Sequence, residues 1–110
     1  MIGDTISKIE AKLRNAGLMN DESRRELLNL LNTLKAEITE LSKTDAQQAE
    51  RIAGFAETST REAIREEKNP DELKQLLDNL SASVEGFETS HPKLVQVVNR
   101  ICTTLSNLGI

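Results

Sequence analysis

Residues 27–41 read LLNLLNTLKAEITEL, and this stretch decides the fold class. Its aliphatic residues recur at intervals of four and three, at Leu27, Leu31, Leu34, Ile38 and Leu41. That spacing places all of them on one side of an α-helix, in the pattern of a coiled-coil seam. Asn20 is a suitable cap at its start. The sequence therefore predicts a helix over residues 21–42 that buries one apolar side against other helices.

The N-terminal segment has the same spacing. Its apolar positions are Ile2, Ile6, Ile9, Leu13 and Ala16. Gly17 follows at once, and glycine is the residue that most often ends a helix. The pattern predicts an amphipathic helix over residues 4–16.

The third segment, residues 45–68, differs because its stripe consists of small residues. The stripe contains Ala46, Ala49, Ala53, Ala56, Thr60 and Ala63. Small side chains allow another helix to approach closely, although alanine is also simply the best helix former. Thr44 followed by Gln47 has the form of a capping box, which would separate this helix from the preceding one. No Gly or Pro lies between Gly17 and Gly54, so one continuous helix stays an alternative.

Asn69-Pro70 is the clearest interruption in the chain, because proline suits the first turn of a new helix. A leucine-rich segment follows over residues 70–88, and a last segment with an aliphatic seam covers residues 92–108. We therefore expect one all-α domain over residues 1–110. It would be a small bundle of four to five amphipathic helices with coiled-coil-like packing, completed by self-association.

Charge is distributed unevenly. The chain has 14 basic and 18 acidic residues, and residues 45–88 alone have a net charge of −6. Residues 89–110 contain Lys93 and Arg100 and no acidic residue. The polar side of the last helix carries neutral groups instead: Gln96, Asn99, Thr103 and Ser106. Because neutral groups tolerate burial better than charges, we expect this helix to be covered on more than one side.

The sequence contains few of the residues that a catalytic site, a metal site or a nucleic-acid-binding site requires. His91 and Cys102 are the only residues of their types, and eleven positions on one helix would separate them by ~16 Å. We expect no catalytic residue, no cofactor and no metal site, with Cys102 a buried small apolar residue. The net charge of −4 argues against nucleic acid, since Arg24-Arg25 is only a weak basic signal. Without an apolar span, no membrane partner is expected, and one cysteine suits a cytoplasmic protein.

The C-terminal block resembles a known family. The residues that carry this resemblance are 87–94, FETSHPKL, then 99–101, NRI, and 105–110, LSNLGI. Together they resemble the domain-of-unknown-function family 4404, which implies a bacterial source and supplies no catalytic residue. Phe87, Ser90, His91 and Pro92 form a junction that we interpret as structural, because it would set the angle between two apolar helices. A pH-sensing or partner-binding role for His91 is the alternative.

These patterns favour a non-enzymatic interaction or scaffold protein that self-associates, with a dimer as the expected form. The interface candidates are Ala49, Ala53, Ala56, Leu94, Val98, Asn99, Ile101, Thr103 and Leu105. The alternative function is a small regulatory subunit that binds another protein through the small-residue helix, residues 46–63.

Overall fold

Asn20 begins the helix that the sequence predicts most strongly. In a computed structural model of the chain, its side chain accepts a hydrogen bond from the backbone N–H of Ser23 at 2.7 Å. The structure describes residues 2–15, 20–65, 67 and 69–109, with no side-chain description for residues 2, 3 and 109. Within these ranges it contains five helices: α1 (Ile2–Arg14), α2 (Asp21–Ser42), α3 (Ala46–Ala63), α4 (Pro70–Ala82) and α5 (Pro92–Gly109). The all-α fold class is confirmed. The predicted roles of Ala16 and Gly17 lie outside the described residues.

The chain breaks between α2 and α3, which decides against one continuous helix. The cap of α3 is Asp45, whose carboxylate accepts from the backbone N–H of Gln48 at 3.1 Å. The capping box predicted at Thr44 is therefore wrong by one residue. The Thr44 hydroxyl donates instead to the carbonyl of Leu41 at 3.2 Å, at the end of α2. The carboxylate is the better helix cap because it also carries a negative charge toward the positive end of the helix dipole.

Two helices end earlier than the sequence pattern indicates. The predicted segment 45–68 stops as a helix at Ala63, and the backbone N–H of Asn69 donates to the Glu62 carboxylate at 3.1 Å. The predicted segment 70–88 stops at Ala82, where the Ser83 hydroxyl donates to the carbonyl of Leu80 at 2.6 Å. Gly86 then adopts a φ of +95°, a conformation that glycine accepts readily.

Helix α3 occupies the centre of the bundle, because it packs against all four other described helices. Its inward-facing positions include Ala49, Ala53, Ala56 and Ala63, all buried. A helix surrounded on several sides has little room for long side chains, which explains the small-residue stripe. The amide of Gln48 donates to the carbonyl of Ser83 at 2.8 Å and ties the start of α3 to the end of α4.

The larger aliphatic residues of the other helices close the core around α3. The buried seam of α2 contains Leu27, Leu31, Leu34, Ile38 and Leu41, as its spacing predicts. The Cα radius of gyration is 12.9 Å, close to the ~13 Å of a compact domain of this length. One chain therefore completes its own core, and self-association has to use the outer surface. The core also holds two hydroxyls without a hydrogen-bond partner, those of Ser59 and Thr60, which cost stability.

Candidate interaction surface

The small-residue stripe of α3 is not a free surface. Ala49, Ala53 and Ala56 are at most 1 % exposed within the single chain. Their assignment as interface candidates is therefore corrected, because the neighbouring helices of the same chain already cover them. The alternative in which helix 46–63 presents this stripe to another protein has the same difficulty. The outward residues of α3, such as Glu50 and Arg61, are instead charged and exposed.

Helix α5 separates the remaining candidates into two groups. The first group faces the core and is fully buried: Leu94, Val98, Ile101 and Leu105. These four interface assignments are also corrected, since the residues pack inside their own chain. The second group, Asn99 and Thr103, is exposed. The expectation that α5 is covered on more than one side is thus wrong within one chain, because the neutral side is open.

The exposed side of α5 forms a polar ridge, which we define as Gln96, Asn99, Thr103 and Asn107. All four residues are exposed and uncharged, and they extend for ~16 Å along the helix. The Thr103 hydroxyl donates to the carbonyl of Asn99 at 3.1 Å, one turn earlier in the helix. Its donor is therefore already used within the chain, which lowers the cost of covering this position.

A shallow groove lies on each side of the α5 ridge. The α4/α5 groove has a volume of about 600 Å³ and includes Lys74, Asp78 and Cys102. On the other side, the α2/α5 groove contains two adjoining cavities of about 400 Å³ and 310 Å³. Thr103 lines cavities on both sides, so it lies at the crest between them. Such a surface can receive complementary side chains from another protein on both sides of one helix.

The α2/α5 groove carries charges of both signs. Glu22 and Glu26 line it together with Arg25 and Arg100. All four side chains are exposed. None of them takes part in the ion pairs that the structure describes, which are Arg24–Asp21, Lys43–Glu40, Arg61–Glu57 and Arg65–Glu62. Two acids and two bases in one groove are therefore available to charges on another molecule.

Cys102 is half-buried at the base of the α4/α5 groove. Its thiol donates a weak hydrogen bond to the carbonyl of Leu77, with the sulfur 3.7 Å from the oxygen. Burial, with a smaller effect from the charge of Asp78, raises the pKa of the thiol to about 11. At neutral pH the group is therefore a protonated thiol and a poor nucleophile.

The junction before α5 brings two of its predicted residues into contact. The rings of Phe87 and His91 meet edge to face, with their centroids 5.9 Å apart. The backbone N–H of His91 donates to the carbonyl of Phe87 at 2.8 Å, and Pro92 is the first residue of α5. Ser90, the fourth junction residue, is exposed. Phe87 and His91 thus contact each other directly before α5 begins at Pro92.

Two charged residues have structural roles that the sequence does not reveal. The carboxylate of Glu62 is buried, and it accepts from the backbone N–H of Asn69 and from Arg65 at 2.8 Å. The Asn69 hydrogen bond, more than the Arg65 guanidinium, lowers the pKa of Glu62 below its ordinary value of 4.5.

Arg24 donates from Nε to the carbonyl of Leu13 at 3.0 Å and joins α2 to α1. Of the pair Arg24-Arg25, Arg24 therefore has a contact within its own chain, whereas Arg25 is exposed. Spacing along the sequence shows neither of these long-range backbone contacts.

The described residues contain no group of three or more His, Cys, Asp or Glu side chains that could hold a metal ion. Over the same residues, no helix combines the length and apolar character needed to cross a membrane. The residues lining the grooves have mainly hydroxyl, amide and charged side chains, with charges of both signs.

Comparison with known proteins gives one match. A family model described as a domain of unknown function (DUF4404) matches residues 27–110. This confirms the resemblance seen in the C-terminal block and extends it to most of α2 and to α3 and α4. No curated protein and no solved structure matches the chain.

Proposed function

The chain belongs to the family described as a domain of unknown function (DUF4404), and we propose that it is a non-enzymatic helical interaction protein that self-associates through the α5 ridge. The observation that carries the proposal is the uncharged ridge itself. In a chain with 29 % charged residues, a row of four exposed helix positions without any charge is unusual, and the charged residues exposed beside it on α5, Lys93 and Arg100, are both basic. Charged residues are depleted at the centre of protein interfaces, and neutral polar groups cost less to cover.

A second copy of the chain is the occupant that suits this surface best. A two-fold symmetric interface uses the same patch on both subunits and brings central residues close to their own copies. Like charges at such a centre would repel, whereas Asn99 and Thr103 are neutral. Further from the centre, Glu26 and Arg100 of one α2/α5 groove can face the opposite charges of the other groove. A dimer of this kind leaves the core of each chain unchanged.

The proposal includes the absence of catalysis. The raised thiol pKa of about 11 makes Cys102 a weak nucleophile, and His91 packs on Phe87. The one free cysteine also fits a reducing compartment, so the proposed setting is the bacterial cytoplasm. Binding between copies is then the activity to be measured.

The proposal is tested by placing charge on the ridge. The double variant Asn99→Glu, Thr103→Glu introduces two carboxylates that a symmetric interface would bring together. Its matched control is Asn32→Glu, Ala36→Glu, which has the same spacing on the exposed side of α2. We expect light scattering to give the wild type and the control twice the chain mass of 12.2 kDa, and the ridge variant the single mass.

Thermal unfolding distinguishes loss of assembly from loss of folding. Because Asn99 and Thr103 are exposed in the single chain, the free energy of unfolding of the isolated ridge variant should change by ~0.5 kcal/mol or less. A ridge variant that keeps the wild-type dimer mass would contradict the proposed interface. A wild type that stays at the single mass would contradict self-association itself.

A further inference from the structure

The α5 ridge limits how two copies of the chain can be arranged. Two-fold symmetry lets two α5 helices that lie along each other run either parallel or antiparallel. In the parallel arrangement, the α2/α5 groove of one copy lies over the α4/α5 groove of the other. In the antiparallel arrangement, each groove lies over its own copy. The charges beside the ridge and at the ends of α5 therefore bear on which arrangement forms.

Glu26 and Arg100 lie at the same level of the α2/α5 groove. Both side chains line its two adjoining cavities, and the second cavity also includes Asn99 and Thr103, the central residues of the ridge. A groove that meets its own copy at this level brings Glu26 of each chain close to Arg100 of the other. Two acids and two bases then form a neutral group around the symmetry axis, with opposite charges next to each other.

Helix α5 also differs from the other described helices in the charges at its ends. Each of α1 to α4 has an acidic residue in its first turn or a basic residue in its last turn. Helix α5 has neither. Its first turn instead contains the exposed Lys93, near the positive end of the helix dipole. The charges that stabilise helix ends are thus absent from α5 itself.

We infer that the two copies pair with their α5 helices antiparallel and with the symmetry axis at the middle of the ridge. This inference rests on the proposed self-association. Gln96 of one copy then lies opposite Asn107 of the other. In the same way, Asn99 lies opposite Thr103. Lys93 of each copy comes beside the last turn of the other α5, whose carbonyls are the negative end of the dipole, so the second copy supplies a charge that α5 lacks.

Complementary charge reversal tests the pairing of the α2/α5 grooves. Glu26→Arg and Arg100→Glu change exposed residues, and each variant places four like charges around the axis of a dimer of its own copies. Each variant alone should dimerise about tenfold more weakly than the wild type in sedimentation equilibrium. An equal mixture of the two should recover the wild-type affinity, because each copy then meets opposite charges.

The matched control for charge reversal is Glu50→Arg, at an exposed position of α3. It makes the same chemical change as Glu26→Arg away from the ridge and should dimerise like the wild type. A mixture of the two groove variants that dimerises no more strongly than its components would overturn the antiparallel pairing.

Disulfide trapping identifies the orientation directly. The variant Gln96→Cys, Asn107→Cys is made together with Cys102→Ser, so that its two cysteines lie at the ends of the ridge. They are ~16 Å apart on one helix, too far for a disulfide within one chain, so every bond between them joins two copies. Mild oxidation followed by peptide mass spectrometry should give bonds that join position 96 to position 107. The control is Gln47→Cys, Thr58→Cys with Cys102→Ser, which has the same spacing on the exposed side of α3 and should give few bonds between copies.

The trapping result distinguishes failure of the orientation from failure of the proposed function. Bonds that join 96 to 96 and 107 to 107 would overturn the antiparallel arrangement and leave the ridge contact in place. A yield no higher than that of the α3 control would contradict the ridge contact itself, and with it the proposed self-association.

Discussion

Helices α3 and α5 have the same length, 18 residues each, but they differ in how many helices they pack against and in which side chains they bury. Helix α3 packs against all four other described helices, and four of its eight buried positions are alanines. Helix α5 buries large residues such as Leu94 and Ile101 on one side and leaves the uncharged ridge open on the other. This comparison indicates that the small residues of α3 reflect its packing against several other helices of the same chain. The neutral polar residues on the exposed side of α5 are the basis of the proposed contact between two copies of the chain.

The largest expected effect concerns the core side of α5. Ile101→Ala removes a fully buried aliphatic side chain and leaves a cavity, so it should lower the free energy of unfolding by ~2–5 kcal/mol. Urea unfolding followed by circular dichroism measures the change. Lys93→Ala, at an exposed position of the same helix, is the control and should change stability by ~0.5 kcal/mol or less. An equally small effect at Ile101 would mean that α5 is not held by its large residues.

A substitution that adds bulk, rather than removing it, tests whether α3 is closely packed at the centre of the bundle. Ala56→Leu adds bulk where the side chain is 0 % exposed, and it should cost ~1–3 kcal/mol because the surrounding helices have to move. Ala36→Leu makes the same chemical change on the exposed side of α2 and should be nearly neutral. Should both variants unfold at the same urea concentration as the wild type, the close packing around α3 would be refuted.

A smaller, pH-dependent effect is expected at the end of α3. Glu62→Gln weakens the contacts to the Asn69 backbone and to Arg65, so it should lower stability by ~1–2 kcal/mol at neutral pH. Because folding lowers the pKa of Glu62 below 4.5, the carboxylate's contribution is present above that pH and is lost as the pH falls through the lowered pKa. The difference between wild type and variant should therefore shrink between about pH 7 and about pH 3.

Glu57→Gln is the matched control for this prediction. Glu57 lies on the same helix and pairs with Arg61 at 2.7 Å, but the Glu57 side chain is 23 % exposed, against 6 % for Glu62. Exposed ion pairs contribute little, so this variant should lose less stability than Glu62→Gln at neutral pH. A stability difference for Glu62→Gln that stays constant over the pH range would show that its charge is not what holds the turn before α4.

The sequence predicts the positions of the helices better than it predicts the long-range contacts that determine where they end. The seam of α2, its Asn20 cap and the Pro92 start of α5 are local patterns, and each appears in the structure where the sequence places it. The early ends of α3 and α4 depend on contacts with residues outside the helix, such as Asn69 with Glu62. Helical spacing alone contains no information about them.

Seven of the nine interface candidates are buried within their own chain, for a related reason. A buried side of α5 and a small-residue stripe on α3 look the same in sequence, whether the neighbouring helix comes from the same chain or from another. Only the three-dimensional arrangement shows that Val98 and Ala53 face their own chain, while Asn99 and Thr103 do not. The absence of acidic residues from the last segment led to the expectation of a second covered side, whereas Asn99 and Thr103 are exposed within one chain.

The central claim, that the open side of α5 joins two copies of the chain, is tested most directly by sedimentation equilibrium of the wild-type protein. The measurement should cover concentrations from about 1 μM to about 100 μM, where interfaces of modest affinity form and dissociate. We predict a mass that reaches twice 12.2 kDa at the upper end of this range. A mass of 12.2 kDa at every concentration would contradict the account.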